Sequence, residues 1–218
     1  QTVEYQLHNH DDWKPDFGDI RAKMDDNVRL LVLINPNNPC GSVCGPEEVD
    51  ALLDIAREYP NCIVVADEIY DGLDFTGRHV SIASRSQDVP VVALNGVSKV
   101  FYAPGWRIGY MALHDPLERL VHVRDGIERL LRSRLCASTP AQLGYLAGLE
   151  GDRGWMEVYA KKVLKQRDHC LERISTIDGL EVERPGGAFY MFIRLTDKQW
   201  AQDDKASVSY THLRAHET

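Results

Sequence analysis

The chain has 218 residues, enough for one large domain, or one domain and part of a second, at about 150 residues per domain. Hydrophobic residues make up 44% and charged residues 27%, with 16 Gly and 10 Pro, a globular balance that excludes a disordered or collagen-like chain. Thirty-three acidic residues against 25 Lys and Arg leave a formal charge of −8 without a dense basic stripe, which argues against a nucleic-acid partner, and the longest apolar runs, such as Leu30 to Ile34, fall far short of the roughly 20 residues of a membrane-spanning helix. The five cysteines, at 40, 44, 62, 136 and 170, form no C-x-x-C pair. They suggest neither a disulfide framework nor a zinc ribbon, and a reducing cytoplasm fits them best. The chain opens on Gln1 with no basic n-region or apolar h-region, so no secretory signal is expected and the sequence reads as beginning mid-protein.

In chain order, the first cluster with metal-ligand chemistry is His8-Asn9-His10-Asp11-Asp12, which follows a short strand candidate and reads as a polar surface turn. Three runs, Val28 to Ile34, Cys62 to Ala66 and Val89 to Leu94, are short, almost wholly apolar and rich in β-branched residues, as expected of parallel strands covered on both faces. Between the first two, Pro46 to Tyr59 reads as a helix. Pro46 stands in its first turn, Glu47 and Glu48 lie near the positive end of the dipole, and Val49, Leu52, Leu53 and Ala56 fall on one face. Strand, helix and strand make a right-handed crossover, the unit of an open α/β sheet.

Arg107 to Leu113 is a further strand candidate. Asp115-Pro116-Leu117-Glu118 then supplies an N-cap, a proline at N1 and an acid at N3 for a long helix whose stripe is Leu117, Leu120, Val121, Ile127, Leu130 and Leu131. A second long helix is predicted from Trp155 to Ile174, followed by strands at Leu180 to Glu183 and Phe189 to Leu195 around Pro185-Gly186-Gly187. A domain boundary is placed near residue 150. Residues 208–218, VSYTHLRAHET, carry no apolar period and read as a non-native tail, so the His212 and His216 pair within them is not taken as a metal site.

Ligands of open α/β sheets bind outside the carboxyl ends of the strands. The first run ends in Asn35-Pro36-Asn37-Asn38-Pro39-Cys40-Gly41, a rigid turn. The second ends in Asp67-Glu68-Ile69-Tyr70, where an unpaired charge at the edge of a buried sheet is costly and needs a cationic partner, unless it caps a helix. The third ends in Asn95-Gly96-Val97-Ser98-Lys99, an amine beside a sheet core, with Arg107 further on as a bidentate anion binder. An amine, a carboxylate, a phenol, an amide and a guanidinium together suit pyridoxal 5'-phosphate, which needs a lysine for its aldehyde, an acid for its ring nitrogen, donors for its phenolic oxygen and an anion site for its phosphate.

The segments INPNNPCG (34–41), ADEIY (66–70), NGVSKVFYAPGWRIGYM (95–111) and RPGGAFYMF (184–192) resemble the aspartate aminotransferase superfamily of fold type I. DWKPDFGDIRAKM and RLCASTPAQ resemble its alanine aminotransferase branch most. The resemblance runs from Val3 to about Trp200. It implies an α/β/α sandwich with a mostly parallel sheet, residues 1–150 forming the central part of the cofactor-binding large domain and residues 151–207 the start of a small α+β domain. It also implies a homodimer that moves an amino group between an amino acid, alanine in the first instance, and 2-oxoglutarate.

Carried onto the matching positions, the resemblance makes Lys99 the lysine that joins the cofactor covalently and then moves the proton between the substrate Cα and the cofactor C4′. Asp67 pairs with the ring nitrogen, Tyr70 and Asn38 donate to the phenolic oxygen, and Arg107 and Ser98 hold the phosphate. The Asn38-Pro39 bond is a candidate cis bond. Catalysis thus rests on Lys99, Asp67 and Tyr70, cofactor binding on these with Asn38, Ser98 and Arg107, and no metal is expected.

Two positions depart from the family pattern: Cys40 stands where Thr is usual, and Gly96 where many members carry a phosphate-binding Ser. The N-terminal glycine-rich loop and stacking aromatic, and the C-terminal arginine that clamps the substrate carboxylate, are absent from the sequence, so the fragment alone is expected to be inactive. Three other readings remain open at this stage: a different fold type I enzyme, such as a C–S lyase or decarboxylase; the effector-binding domain of a transcription regulator; and a folding remnant with no function of its own. Trp106 and Phe189 are expected in the core rather than at a ligand.

Overall fold

The computed structural model describes residues 1–8 and 11–196. A two-residue hairpin, β1 (Leu7–His8) and β2 (Lys14–Pro15), precedes helix α1 (Phe17–Lys23), whose N-cap Asp16 accepts the Asp19 N–H at 2.9 Å. Strand β3 (Leu30–Ile34), helix α2 (Pro46–Arg57) and strand β4 (Ile63–Asp67) form the expected crossover; the four-residue helix α3 (Ile82–Arg85) leads to β5 (Val91–Gly96), and β6 (Gly109–His114) follows. The sheet order is β3-β4-β5-β6, with β3, β4 and β5 parallel and β6 antiparallel at the edge. The fold class is therefore α/β with a mostly parallel sheet.

Helix α2 forms where it does because its first turn satisfies its own amides. Pro46 has no N–H to orphan, and the Glu48 carboxylate accepts the Gly45 N–H at 2.8 Å, closing a capping box. Its apolar stripe, Val49, Leu52, Leu53, Ile55 and Ala56, is buried against Leu31 and Leu33 of β3, Val64 and Ala66 of β4, and Val91 and Ala93 of β5. Strand β3 departs from the expectation of full coverage. Leu31 and Leu33 are buried, but Leu30 and Val32 are 56% and 45% exposed, because the described residues lay helices over only one of its faces.

Beyond β6 come α4 (Val121–Arg134), α5 (Thr139–Glu150) and α6 (Gly154–Ile174), then a hairpin of β7 (Leu180–Val182) and β8 (Ile193–Leu195). Two sequence expectations are corrected here. Helix α4 starts at Val121 rather than Leu117: the Asp115 carboxylate does accept amides, but those of Arg119 and Leu120, at 2.8 and 2.7 Å, and Glu118 sits at φ +54°, so residues 116–120 form a separate turn. Helix α5 carries no amphipathic stripe to announce it, since Leu143 and Leu146 are exposed while Ala141 and Tyr145 are buried. The last strand is also shorter than predicted, beginning at Ile193 instead of Phe189.

No helix among the described residues is long and apolar enough to cross a membrane. His212 and His216 lie outside the described residues, as do His10 and Asn9; among the described residues no cluster of His, Cys, Asp and Glu is arranged to hold a metal.

Candidate active site

The carboxyl ends of β3, β4 and β5 open onto one edge of the sheet. After β3, the buried Asn35 replaces strand pairing with its own amide, donating to the Cys44 carbonyl and accepting the Cys44 N–H, both at 2.9 Å. The Asn35–Pro36 and Asn38–Pro39 bonds are both cis, and Gly41 turns the chain at φ +71°, a conformation open to glycine. Asn37 N–H donates to the Ser42 carbonyl and Gly41 N–H to the Asn37 carbonyl, at 2.9 and 3.0 Å. These bonds close a small loop with Asn38 exposed at its tip. Cys40 is buried beneath, its Sγ 2.9 Å from Asn37 Oδ1, and burial raises its thiol pKa, so the thiol stays protonated.

Strand β4 delivers Asp67 and Glu68 to opposite faces, as its two-residue period requires. Asp67 is half-buried and its Oδ1 accepts the Ile69 N–H at 3.2 Å. Glu68 is buried, accepts the Ile82 N–H at 2.9 Å, and has its pKa raised, chiefly by burial. The helix-capping role weighed for this acidic pair thus belongs to Glu68, which leaves Asp67 for the sheet edge. The chain then turns to place Tyr70, 3% exposed, beside the short 3-10 turn Asp71–Leu73.

After β5, Val97 and Val100 are buried on either side of Ser98 and Lys99 and hold them on a turn, half-buried. The Lys99 Nζ lies 5.8 Å from the ring centroid of Tyr70 and 5.7 Å from that of Phe189, within cation–π reach of both. Asn95 ties this end to the previous one, its Nδ2 donating to the Glu68 carbonyl at 3.1 Å and to Asp71 Oδ2 at 2.9 Å. Gly96 packs directly on β6: a Cβ there would lie 2.8 Å from the Ile108 carbonyl oxygen and 2.9 Å from Gly109 Cα.

Five of the six predicted site residues come from these three strand ends. Lys99 Nζ stands 5.8 Å from the Tyr70 ring centroid, and the Asn38 side chain and the Asp67 charge both act on the Tyr70 phenol. Burial is the main cause that lifts the Tyr70 pKa above its ordinary value; Tyr190 and the Asp67 charge add to it, while Asn38 opposes it. Tyr70 is thus a neutral donor at any physiological pH. Arg107 stands apart. It is exposed at φ +54°, and among the described residues its guanidinium bonds only the Pro104 carbonyl, at 2.8 Å.

The segment around residues 184–192 completes this edge. Gly187 N–H donates to the Gly41 carbonyl and Ala188 N–H to the Leu73 carbonyl, each at 2.8 Å, and Phe75 N–H donates to the Gly186 carbonyl at 2.8 Å. One stretch is thereby stitched to the loops after both β3 and β4. Phe189 is 42% exposed and Trp106 50%, which corrects their expected place in the core: Phe189 faces Lys99 and the edge of Tyr70, and Trp106 lies on α5 at Gly144. Tyr190 was given no role by the sequence, yet its hydroxyl is 2.8 Å from that of Tyr70. Nothing local in the motif RPGGAFYMF names that partner, which lies 120 residues away in the chain.

The sequence matches the family described as aminotransferase class I and II over residues 1–216. The chain belongs to this family. The match runs into the segment set apart as a tail, residues 208–218. Among curated relatives of this aminotransferase chain, the glutamate-pyruvate aminotransferase AlaA of Escherichia coli K12 is 36% identical over 212 residues, covering 95% of this chain and 52% of the relative. An alanine aminotransferase of Mycobacterium bovis is 33% identical over 205 residues, covering 93% and 48%. Among solved structures, an alanine aminotransferase from Pyrococcus furiosus superposes with a TM-score of 0.88 at 43% identity, covering 90% of this chain and 50% of that one. An aspartate aminotransferase from Thermus thermophilus with maleate gives 0.76 at 29% identity, covering 88% and 49%. The chain spans about half the length of the curated relatives it matches.

Proposed function

We propose that this chain carries the central cofactor-binding and proton-transfer residues of a pyridoxal 5'-phosphate-dependent aminotransferase acting on an amino acid, alanine in the first instance, with 2-oxoglutarate as acceptor. The observation that supports it most is the convergence of Lys99, Tyr70 and Asp67 from two adjacent parallel strands, with the lysine amine 5.8 Å from the tyrosine ring. The names of the relatives at 36% and 33% identity, a glutamate-pyruvate and an alanine aminotransferase, point to alanine, glutamate and pyruvate as substrates.

The donor set fits the cofactor. Lys99 Nζ has no hydrogen-bond or ion-pair partner among the described residues and is the one amine at this edge; Asp67 keeps one carboxylate oxygen clear of the Ile69 amide; and the Arg107 guanidinium has N–H groups left over after its bond to Pro104. When bound, the cofactor supplies an electron sink for the bond that breaks at the substrate Cα. The chain's own groups do the rest. Asp67 holds a proton on the ring nitrogen through its negative charge, and Tyr70 and Asn38 orient and stabilise the phenolic oxygen. Ser98 and Arg107 bind the phosphate, the guanidinium offering two aligned bonds. With cofactor and substrate in place, Lys99, held near the Tyr70 and Phe189 rings, would be the group that takes the proton from the substrate Cα and returns it at the cofactor C4′.

The test is chemical trapping in the protein that carries this sequence. After incubation with pyridoxal phosphate and borohydride reduction, peptide mapping is expected to find the cofactor on Lys99 alone, and Lys99→Ala to carry none. Label on another lysine contradicts the assignment. In a separate, unreduced sample, alanine and 2-oxoglutarate should give pyruvate and glutamate in equal amounts; ammonia, thiol or carbon dioxide as product would move the protein to a lyase or decarboxylase.

A further inference from the structure

The segment that brings Phe189 and Tyr190 to the sheet edge packs on helix α6. Val163 of α6 is buried in one cluster with Tyr70, Leu73 and Ala188, and Tyr190 packs against that cluster. Arg167 stands one turn further along, so its side chain continues the same face, residues four apart in a helix being neighbours. That side chain is only 12% exposed.

The Arg167 guanidinium makes three contacts. Its Nη1 donates to the Pro185 carbonyl at 2.8 Å, its Cζ lies over the Phe75 ring at 5.3 Å from the centroid, and Nε and Nη2 donate to Asp168 Oδ1 at 3.0 and 2.7 Å. A second tie, from Arg184 to the same Asp168 oxygen at 2.9 Å, joins side chains 64% and 49% exposed and is worth little. From Pro185 onward four residues are fixed in succession. Arg167 takes the Pro185 carbonyl, the Phe75 N–H takes that of Gly186, and the N–H groups of Gly187 and Ala188 go to Gly41 and Leu73. The last three bonds run to the loops after β3 and β4. The Arg167 bond ties the segment to α6 instead, and it is charge-assisted. Ala188 is wholly buried, and the next two residues are those that meet the site: the Phe189 ring 5.7 Å from Lys99 Nζ, and the Tyr190 hydroxyl 2.8 Å from that of Tyr70.

We propose that Arg167 is a positioning residue of this site: by gripping the Pro185 carbonyl it sets where Phe189 and Tyr190 stand against Lys99 and Tyr70. This rests on the proposed function above and brings α6 into the account of the site.

The experiment uses the protein that carries this sequence and has two arms. The first needs no cofactor: amide hydrogen exchange is followed in residues 184–192 and, as a control, in β3, β4 and β5. Arg167→Met keeps an apolar stem of similar length and removes the guanidinium. It is expected to speed exchange at Gly187 and Ala188 by roughly 10- to 100-fold, the worth of one hydrogen bond to a charged group, with the strands unchanged. Arg167→Lys keeps a charged donor for Pro185 without the planar fork and should fall between. The second arm loads the protein with pyridoxal phosphate and measures, per bound cofactor, the wash-in of solvent deuterium at the Cα of alanine, which reads the proton step assigned to Lys99. Arg167→Met should slow it by about 10- to 100-fold, the cost of a small misplacement of groups at the reacting centre. In a Phe189→Ala, Tyr190→Phe background the same change should slow it by less than about threefold, because the rings it positions are already gone. Unchanged exchange at Gly187 and Ala188 overturns the proposal, as does faster exchange without a slower wash-in, or an equal slowing in both backgrounds. If Arg167→Met loosens the strands as well, Arg167→Lys carries both comparisons on the same terms. A wild-type protein that takes up no pyridoxal phosphate defeats the proposed function, while the exchange arm still decides whether Arg167 fastens the segment.

Discussion

Asn35 carries more structural responsibility than any residue at the sheet edge, because it is buried and stands in for a strand partner on both sides of Cys44. Asn35→Ala leaves a buried N–H and a buried carbonyl without partners, and is expected to lower stability by about 2–4 kcal/mol in denaturant unfolding; a loss below about 0.5 kcal/mol would mean that water reaches this loop. Glu68 makes the opposite kind of statement. Its carboxyl binds its proton more tightly in the folded chain than in the unfolded one, chiefly because it is buried. Between the two pKa values the native state holds more protons, so its contribution is full below the ordinary glutamate range and is lost as pH rises through the raised value. Glu68→Gln keeps an acceptor for the Ile82 N–H and removes that titration. The variant's stability relative to wild type should therefore improve as pH rises from 4 to 7, and a flat difference would contradict the burial argument. The residues that gather at this edge were legible from sequence where a single contiguous segment holds them, as with Asp67-Glu68-Ile69-Tyr70 and Ser98-Lys99. Tyr190 and Asn95 were not, since their roles exist only as contacts with residues far away in the chain.

Among the elements, the strands and α2 were readable because each carries its own evidence: apolar β-branched runs, a proline and an acid in a first turn, a proline after the last. Helix α5 was not readable, because Leu143, Leu146 and Leu149 lie on a side that the described residues leave exposed, so no apolar face stands out from a polar one. The start of α4 was misplaced for a related reason. The capping chemistry of Asp115 is real, but it stabilises a turn whose Glu118 leaves the helical region. At the β5–β6 contact, Gly96 and Gly109 stand in register, and the space for a side chain at 96 is taken by backbone. The family departure at this position therefore has a local physical cause: the serine many members carry does not fit here without moving β6. Gly96→Ser is expected to destabilise the protein by on the order of 1–3 kcal/mol in thermal or chemical unfolding. If stability is unchanged, β6 is less tightly docked than its register with β5 implies.

Over the whole molecule, three parallel strands bring their ends to one edge, and a segment from beyond α6 closes that edge by backbone bonds to the loops of two of them. The βαβ pattern made the parallel order legible in advance, and with it the side of the sheet where chemistry would sit. The closing segment was not legible, because nothing local in Pro185-Gly186-Gly187 says which distant carbonyls it will meet. The half-buried amine of Lys99 is held by apolar neighbours and aromatic rings rather than by an acid, an arrangement that leaves it available to an aldehyde. The central claim is that Lys99 and Asp67 bracket one aromatic ring. An experimental structure of the protein that carries this sequence, loaded with pyridoxal phosphate, tests it most directly. The expected result is continuous density from Lys99 Nζ to the cofactor and an Asp67 oxygen about 2.7–2.9 Å from the ring nitrogen, the distance of a charge-assisted hydrogen bond. A cofactor joined elsewhere, or a ring nitrogen facing solvent with Asp67 turned away from it, would contradict the account.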